Sequence, residues 1–266
     1  MALYIVGTPI GNLGDITKRA EAILSSVDLI ACEDTRRTAI LLNALHIKKP
    51  LLSYYKQKER EGAEKITELL LEGKNVALVS DAGMPVISDP GAVLVKKARE
   101  CGIKIETVPG PTAVTTAAAL AGIEGGFVFI GFLPENNADK KKQIQSFKDS
   151  PLPLVFYAGP HDVNKLLAFL SKELGARKAY LAKELTKLHE NLIEVSLGDT
   201  LEEEPRGEYV VLIEGKSQTE APECALSPED HLAKVLAEGI DKKTAIKRVA
   251  AERGVPKDEI YKLTLK

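Results

Sequence analysis

The chain has 266 residues, 44% of them hydrophobic and 28% charged, which is an ordinary composition for a globular protein of about two domains. Its formal net charge is −2, so any contact with nucleic acid must come from local basic patches rather than from the overall field. No run of about 18 apolar residues is present, which excludes a membrane-spanning helix.

The first 120 residues alternate short apolar runs with helical patterns. Strands are predicted over residues 3–6, 29–32, 76–79 and 105–108. Helices are predicted to begin at Asp15 or Thr17 and to cover residues 38–45, 63–71, 90–100 and 112–121. This alternation is typical of parallel strands that are covered by helices on both faces. We therefore predict a parallel α/β domain over residues 1–120.

The pattern changes after residues 124–126. Strands are predicted over residues 127–132, 154–157, 179–182, 191–197 and 209–214, with helices only over 140–147 and 163–174. Fewer helices per strand indicate a mixed or largely antiparallel sheet. We therefore predict a second α/β domain over residues 121–216.

A polar linker over residues 216–227 leads into three short helical patterns. The last two cover residues 242–253 and 256–262, with Gly254 as a stop and Pro256 at the first helical position. Two helices joined by a tight glycine turn have the outline of a helix-turn-helix. Residues 225–266 are predicted to form a small helical tail.

Four unusual loops each follow a predicted strand of the first domain. They begin at Gly7, Glu33, Asp81 and Pro109. In a parallel α/β sheet the carboxyl ends of the strands share one edge, where ligands bind. Since chance would scatter such loops over both edges, the coincidence predicts a binding site.

Each loop also has a purely structural interpretation. The Gly7 loop could be a tight turn, and it is neither a P-loop nor a dinucleotide fingerprint. Asp81 lies just beyond a buried strand and is followed by Gly83, which favours close approach of a ligand over an Asx turn. Ser88 or Asp89 is interpreted as the cap of a helix whose first residue is Pro90, and Asp89 is assigned mainly to that cap.

Charged segments elsewhere leave two interpretations open. The acids of residues 33–37 suit a helix N-terminus, whereas the adjacent arginines suit phosphate recognition. The lysines at 140–142 are either a solvated helix face or an RNA-binding patch. Residues 183–187 either border a ligand-binding site or form an ordinary exposed strand end.

The cysteines and histidines show no pattern of a metal site. Cys32, Cys101 and Cys224 are odd in number and lack a paired spacing, which disfavours disulfides and zinc and favours a reducing compartment. The four histidines lack metal-ligand spacing and a nucleophile-elbow partner. The first residues show no secretory signal. We therefore expect a cytoplasmic protein without a metal.

Together, several blocks resemble the ribosomal RNA small subunit methyltransferase I family of the tetrapyrrole-methylase superfamily. They read LYIVGTPIGNL at 3–13, EDTR at 33–36, VSDAG at 79–83, SDPG at 88–91, PGP at 109–111 and GFLP at 131–134. The likeness continues through residues 156–157, 160–161, 183–187 and 207–208. It departs from the family at Met84, where threonine is common, and at Ala158 and Gly159, where a more acidic pattern is expected.

The resemblance implies a two-domain class III methyltransferase fold, S-adenosylmethionine as cofactor, and usually a homodimer. It also implies methylation of the ribose 2′-hydroxyl of a cytidine in the decoding region of 16S ribosomal RNA, alone or within the 30S subunit. The cofactor contacts it implies are Pro9, Asp81, Ala82, Gly83, Ile87, Thr112, Ala113, Tyr157 and Leu185. The expected substrate contacts, which include basic residues of an RNA-docking tail, are Thr8, Asn12, Arg36, Arg37, Lys243, Lys247 and Arg248.

A ribose hydroxyl is a poor nucleophile, so a base or a nearby cation must help as its proton leaves. The candidates are Glu33, Asp34, Lys183 and Glu184, although strand-end ion pairs explain each of them equally well. Two rival functions remain: a tetrapyrrole methyltransferase of the same superfamily, and a non-catalytic RNA-binding ribosome-assembly protein. The basic tail counts against the first rival, and the four-loop site with Asp81 counts against the second.

Overall fold

The computed structural model describes residues 1–201, 205, 207–216, 227–253 and 255–264. The chain divides into two compact units, Met1–Gly215 and Lys216–Lys266. The first unit contains two five-stranded sheets, and the described part of the second unit contains three helices. None of the helices in the described ranges is long and apolar enough to cross a lipid bilayer.

The first sheet is entirely parallel, as predicted. Its strands, in the spatial order β3-β2-β4-β1-β5, are β1 (Leu3–Val6), β2 (Leu29–Cys32), β3 (Leu51–Ser53), β4 (Val76–Leu78) and β5 (Ile105–Val108). The sequence analysis missed β3, because an edge strand of three half-buried or exposed residues has little apolar pattern.

Five helices accompany this sheet. They are α1 (Lys18–Ser26), α2 (Thr35–Ala44), α3 (Glu59–Leu71), α4 (Ala92–Glu100) and α5 (Ala113–Leu120). Leu24 of α1 packs with Ile30 on one face of the sheet. Ile66 of α3 and Leu94 of α4 pack with Leu3 on the other face. Both faces are therefore covered, which explains why the central strands are apolar throughout.

The prediction for the start of α4 is wrong. The helix begins at Ala92, and its N-cap residue is Gly91, with a φ of 146°. The cap hydrogen bond comes from another element, since Oε1 of Glu59 accepts from the backbone N–H of Gly91 at 2.8 Å. Pro90 therefore precedes the helix, and Asp89 is not its cap.

The second sheet is mixed, as predicted. Its strands, in the order β6-β7-β10-β8-β9, are β6 (Val128–Gly131), β7 (Leu154–Ala158), β8 (Lys178–Lys183), β9 (Asn191–Ser196) and β10 (Tyr209–Ile213). Strands β6 and β7 pair in parallel, and the other pairs of this sheet are antiparallel.

Helices cover both faces of the second sheet. Helix α7 (Val163–Leu174) packs on one face. Helix α6 (Asn137–Gln145) begins three residues before its predicted start, because Oδ1 of Asn136 caps it by accepting from Ala138 N–H at 2.8 Å. Helix α5, which follows the last strand of the first sheet, packs on the other face through Val114 and Ala117.

The second unit contains α8 (Pro228–Ala237), α9 (Lys242–Arg253) and α10 (Lys257–Leu263). These helices share a small core that includes Leu232, Val249 and Ile260. Pro256 is the N-cap residue of α10 rather than its first helical residue. The predicted stop at Gly254 and most of the predicted linker, residues 217–226, lie outside the described residues.

Candidate functional site

The four loops that the sequence singled out meet at the carboxyl edge of the first sheet. The segments after β1 and β4 are joined by two backbone hydrogen bonds, from Thr8 N–H to Gly83 O at 2.9 Å and from Gly83 N–H to Thr8 O at 3.1 Å. The segment after β2 joins them through Asp34, whose backbone N–H donates to Oδ1 of Asp81 at 3.1 Å. The predicted convergence of these loops is confirmed.

The segment after β5 approaches the segment after β1 so closely that two glycines are required. A Cβ atom on Gly7 would lie 2.7 Å from the Cα atom of Gly110, and a Cβ atom on Gly110 would lie 2.9 Å from the Cα atom of Gly7. Both distances are shorter than atoms of real side chains tolerate. These glycines therefore set how close the two loops come.

A cavity of about 500 Å³ opens beside these loops. One part of its wall comes from the carboxyl edge of the first sheet, and the other comes from the second sheet and the start of α5. Residues of the lining that the sequence analysis did not assign to a site include Ile10, Met84, Ser88, Asp89, Val114, Thr115, Phe132, Ala158, Lys187, Glu208, Tyr209 and Val210.

Most of the predicted cofactor contacts surround this cavity. Those that line it are Asp81, Ala82, Gly83, Ile87, Thr112, Ala113, Tyr157 and Leu185. Pro9 is not part of the lining, whereas the next residue, Ile10, is. The structure thus brings residues from several separate segments of the chain together around one space.

The four candidate catalytic residues occupy different positions. Glu33 and Glu184 line the cavity, but Asp34 and Lys183 do not. The carboxylate of Asp34 accepts from the backbone N–H and from the guanidinium of Arg36, both at 2.8 Å. The hydrogen bond from the Arg36 side chain is the main reason why the pKa of Asp34 falls to about 2. Asp34 therefore caps α2 and is a weak base.

The predicted substrate contacts in the first unit also differ in where they lie relative to the cavity. Nη1 of Arg37 lies 3.6 Å from Oδ2 of Asp81 at the cavity, and the side chain of Arg36 is 89% exposed. Thr8 is only 1% exposed, and its hydroxyl lies 3.3 Å from the carbonyl oxygen of Ser80, so its side chain does not face a substrate. Asn12 is exposed and accepts from the backbone N–H of Gly14 at 2.9 Å.

The predicted contacts in the second unit lie on α9. Lys243 and Lys247 are exposed. Arg248 forms ion pairs with Glu238 at 2.8 Å and with Glu252 at 2.9 Å. Arg248 therefore ties α9 to the end of α8, and the two lysines are the better placed of the three to meet a phosphate.

The sequence analysis missed Asp89 as a site residue. Asp89 lines the cavity, and burial, followed by the charge of Glu33, raises its pKa to about 6, although a hydrogen bond with Ser80 lowers it in part. The repeated Ser-Asp pair, at residues 80–81 and 88–89, was a signal that could have found it. The Ser-Asp-Pro pattern instead favoured a helix cap.

The cavity has an acidic lining. Among the described residues, five carboxyl groups line it against two cationic groups; the acids are Glu33, Asp81, Asp89, Glu184 and Glu208, and the cations are Arg37 and Lys187. Burial, followed by the charge of Asp81, raises the pKa of Glu33 as well. An excess of carboxylates in a partly desolvated space favours a cationic ligand. Residues of this chemistry fit a sulfonium cofactor.

The chain matches the family Tetrapyrrole (Corrin/Porphyrin) Methylases over residues 2–201. It is 39% identical over 269 residues to the ribosomal RNA small subunit methyltransferase I of Bacillus subtilis, covering 97% of this chain and 92% of the relative. The protein of the same name from Thermotoga maritima is 44% identical over 219 residues, which cover 80% of this chain and 98% of that relative.

Among solved structures, the methyltransferase CobJ superposes with a TM-score of 0.64 at 22% identity, covering 81% of this chain and 94% of CobJ. At this identity the likeness shows the fold alone. The alignment with the Thermotoga maritima relative and the superposition on CobJ both extend over a length close to that of the first compact unit, Met1–Gly215.

Proposed function

This chain belongs to the ribosomal RNA small subunit methyltransferase I family of the tetrapyrrole methylases, and we propose that it methylates the ribose 2′-hydroxyl of a cytidine in the decoding region of 16S ribosomal RNA. The methyl donor is S-adenosylmethionine, the cofactor of the family. The observation that carries the proposal is the acidic cavity at which the segments after β1, β2, β4 and β5 converge.

The cavity suits the cofactor for two reasons. Its lining has more carboxyl groups than cations, which favours a positively charged ligand, and Ala82 and Gly83 line it on a segment whose glycine permits close approach. When bound, S-adenosylmethionine supplies an electrophilic methyl group on a positively charged sulfur. We propose that the segment 81–83, the start of α5 and the side chains of Tyr157 and Leu185 hold it.

Proton removal from the ribose hydroxyl is assigned to the carboxyl groups of the cavity. As the oxygen forms its bond to the methyl carbon, the proton must pass to a base. Asp89 and Glu33 both line the cavity and both have raised pKa values, which makes their carboxylates stronger bases than an ordinary exposed acid. We assign the proton to Asp89 first, because its pKa of about 6 leaves it ionised at neutral pH.

The substrate part of the proposal depends on cationic side chains. Arg37 lines the cavity, its neighbour Arg36 is exposed, and Lys243 and Lys247 are exposed on α9. Such groups fix the register of an RNA through its phosphates, while the cavity accepts one nucleotide. A homodimer, a 30S subunit as the physiological substrate and a cytoplasmic location belong to the same proposal.

A labelled-methyl transfer assay tests the function directly. The purified chain is incubated with labelled S-adenosylmethionine and 30S subunits, naked 16S ribosomal RNA or a tetrapyrrole. Digestion of the product to nucleosides should release labelled 2′-O-methylcytidine. Label on a base, label only on the tetrapyrrole, or no cofactor binding by calorimetry would each contradict the proposal. Asp81→Ala, which removes one carboxylate of the cavity, serves as a control with weakened cofactor binding.

A further inference from the structure

The mouth of the cavity carries an aromatic ring that no part of the proposed chemistry explains. Phe132 follows β6 directly, lines the cavity and is 60% exposed. It is the outermost of three contacting rings. Its centroid lies 5.4 Å from that of Tyr157, which in turn lies 5.0 Å from that of Phe129, and both contacts are edge-to-face.

A second large apolar side chain lies at the same rim. Ile87, between β4 and α4, also lines the cavity and is 54% exposed. Single exposed apolar side chains are normal on protein surfaces and need no explanation. The apolar rim of this acidic cavity is formed by Phe132 and Ile87, which come from different segments of the chain, and it offers surface to a flat apolar group.

The occupant of this rim follows from the reaction, so this step rests on the proposed function. A ribose hydroxyl can enter the cavity only if its nucleotide leaves the stack of its neighbours, which costs stacking energy. A protein recovers such a loss by placing an aromatic ring under the base. The chain just beyond Phe132 leads into α6, where the exposed Lys142 offers a positive charge to flanking phosphates, while Nζ of Lys141 lies 4.0 Å from Oε1 of Glu173.

We propose that Phe132, which packs against Tyr157, is the platform on which the base of the target nucleotide stacks, and that Ile87 adds apolar surface to the same cavity lining. The Phe132 ring meets the Tyr157 ring at an interplanar angle of 60°, and this contact favours one orientation of the Phe132 ring. Stacking is tolerant of base identity, because every base has a π face. Phe132 therefore contributes affinity and positioning, and selection of cytidine falls to other groups.

The test compares Phe132→Leu, which keeps an apolar side chain without a π face, with Phe132→Tyr, which keeps the ring. Leu152→Ala is the control, because Leu152 is also exposed, at 43%, but lies outside the cavity lining. Phe132→Leu should lower kcat/KM for 30S subunits by roughly tenfold to a hundredfold. Phe132→Tyr and the control should stay near the parent, and calorimetric affinity for S-adenosylmethionine should be unchanged in all three.

A second measurement separates stacking from a general effect on the loop. The target nucleotide, located with the parent protein, is replaced by an abasic ribose that keeps the 2′-hydroxyl. The parent should bind the abasic RNA more weakly than the intact RNA. For Phe132→Leu, the abasic replacement should cause little further loss of affinity, since the base and the ring act through one interaction.

Three results would contradict the stacking role of Phe132. They are an equal loss of kcat/KM in Phe132→Tyr, a loss of cofactor affinity in Phe132→Leu, and a change of oligomeric state in Phe132→Leu with an unchanged KM. None of these results would contradict the proposed function, because the parent protein would still methylate RNA. A parent protein that transfers no methyl group to RNA would remove the proposed function itself, and the platform with it.

Discussion

Oδ1 of Asp81 accepts the backbone N–H of Asp34 at 3.1 Å, and this bond joins the segment after β4 to the segment after β2. One carboxylate therefore does two things: it fixes the geometry of the loops and it contributes negative charge to the cavity. The two roles can be separated by substitution, because asparagine keeps an acceptor oxygen and loses the charge.

We expect Asp81→Asn to fold normally and to bind S-adenosylmethionine about tenfold more weakly, because it loses a charge-assisted interaction. Asp81→Ala should also lose about 1 kcal/mol of unfolding free energy, since the N–H of Asp34 loses its partner. Calorimetry and urea unfolding measure the two effects. The control is Asp28→Asn, because Oδ2 of Asp28 accepts the backbone N–H of Asn75 at 2.6 Å between the segments that precede β2 and β4. Equal cofactor affinity in both asparagine variants would contradict the role of Asp81.

The close approach of Gly7 and Gly110 leads to a second expectation. Gly7→Ala places a Cβ atom 2.7 Å from a backbone atom that cannot move aside cheaply. Overpacking of this kind costs about 1–3 kcal/mol of unfolding free energy, and the displaced loop should weaken cofactor binding too. Gly126→Ala is the matched control, because a Cβ atom there meets nothing within 4 Å. Denaturant unfolding that finds the two variants equally stable would refute the argument.

The sequence predicted the fold well where local pattern and packing agree. The strand Leu29–Cys32 is a continuous apolar run that is fully buried, and the helix Val163–Leu174 ends at a glycine with a positive φ. The short edge strand Leu51–Ser53 was missed because its burial is partial. Its place in the sheet comes from pairing with β2, which no local pattern reveals.

The site was less predictable, because side-chain roles depend on partners far along the chain. Asp89 was interpreted as a cap, yet Glu59 supplies that hydrogen bond from 32 residues away. Asp34 looked like a candidate base, but its contacts with Arg36 turn it into a cap. The loops themselves were found because the edge of a parallel sheet is set by topology alone.

Asp89 leads to an expectation for the pH dependence of catalysis. If the Asp89 carboxylate accepts the proton, kcat/KM should decrease as the pH is lowered past 6. The reason is that protonation of this one carboxylate, whose pKa is about 6, removes the base. Asp89→Asn should be slower by roughly a hundredfold or more, and its remaining activity should lack this dependence. A full pH profile of both proteins measures this. Glu33→Gln, assayed in parallel, shows whether the inflection belongs to Glu33 instead.

The same carboxyl group should affect stability with a defined sign. The folded state raises the pKa of Asp89 from 3.8 to about 6, so it binds this proton more tightly than the unfolded chain does. The resulting stabilisation is present at low pH and is lost as the pH rises through 6. Asp89→Asn should therefore be more stable than the parent by about 1 kcal/mol at pH 8, a value reduced for solvent screening of a half-buried group. At pH 4 the two proteins should be nearly equal, and a stability gain that did not depend on pH would contradict the assignment.

The helical second unit should bind RNA through charge and leave the cofactor site untouched. The Thermotoga maritima relative is aligned over 98% of its length while covering 80% of this chain. Replacing Lys243 and Lys247 with glutamine should weaken binding to 16S ribosomal RNA. The slope of log K against log salt should fall by about 1.4, which is about 0.7 for each phosphate that a lysine no longer neutralises.

Affinity for S-adenosylmethionine should not change in this double variant. The control replaces Lys48 and Lys49, which precede β3 at the edge of the first sheet opposite the cavity, and it removes the same charge. Because the net charge change is identical, only a local interaction can make the two variants differ in salt slope. If both variants lose the same amount of RNA affinity, the lysines of the second unit act only through the net charge of the protein, and the second unit is not a docking surface.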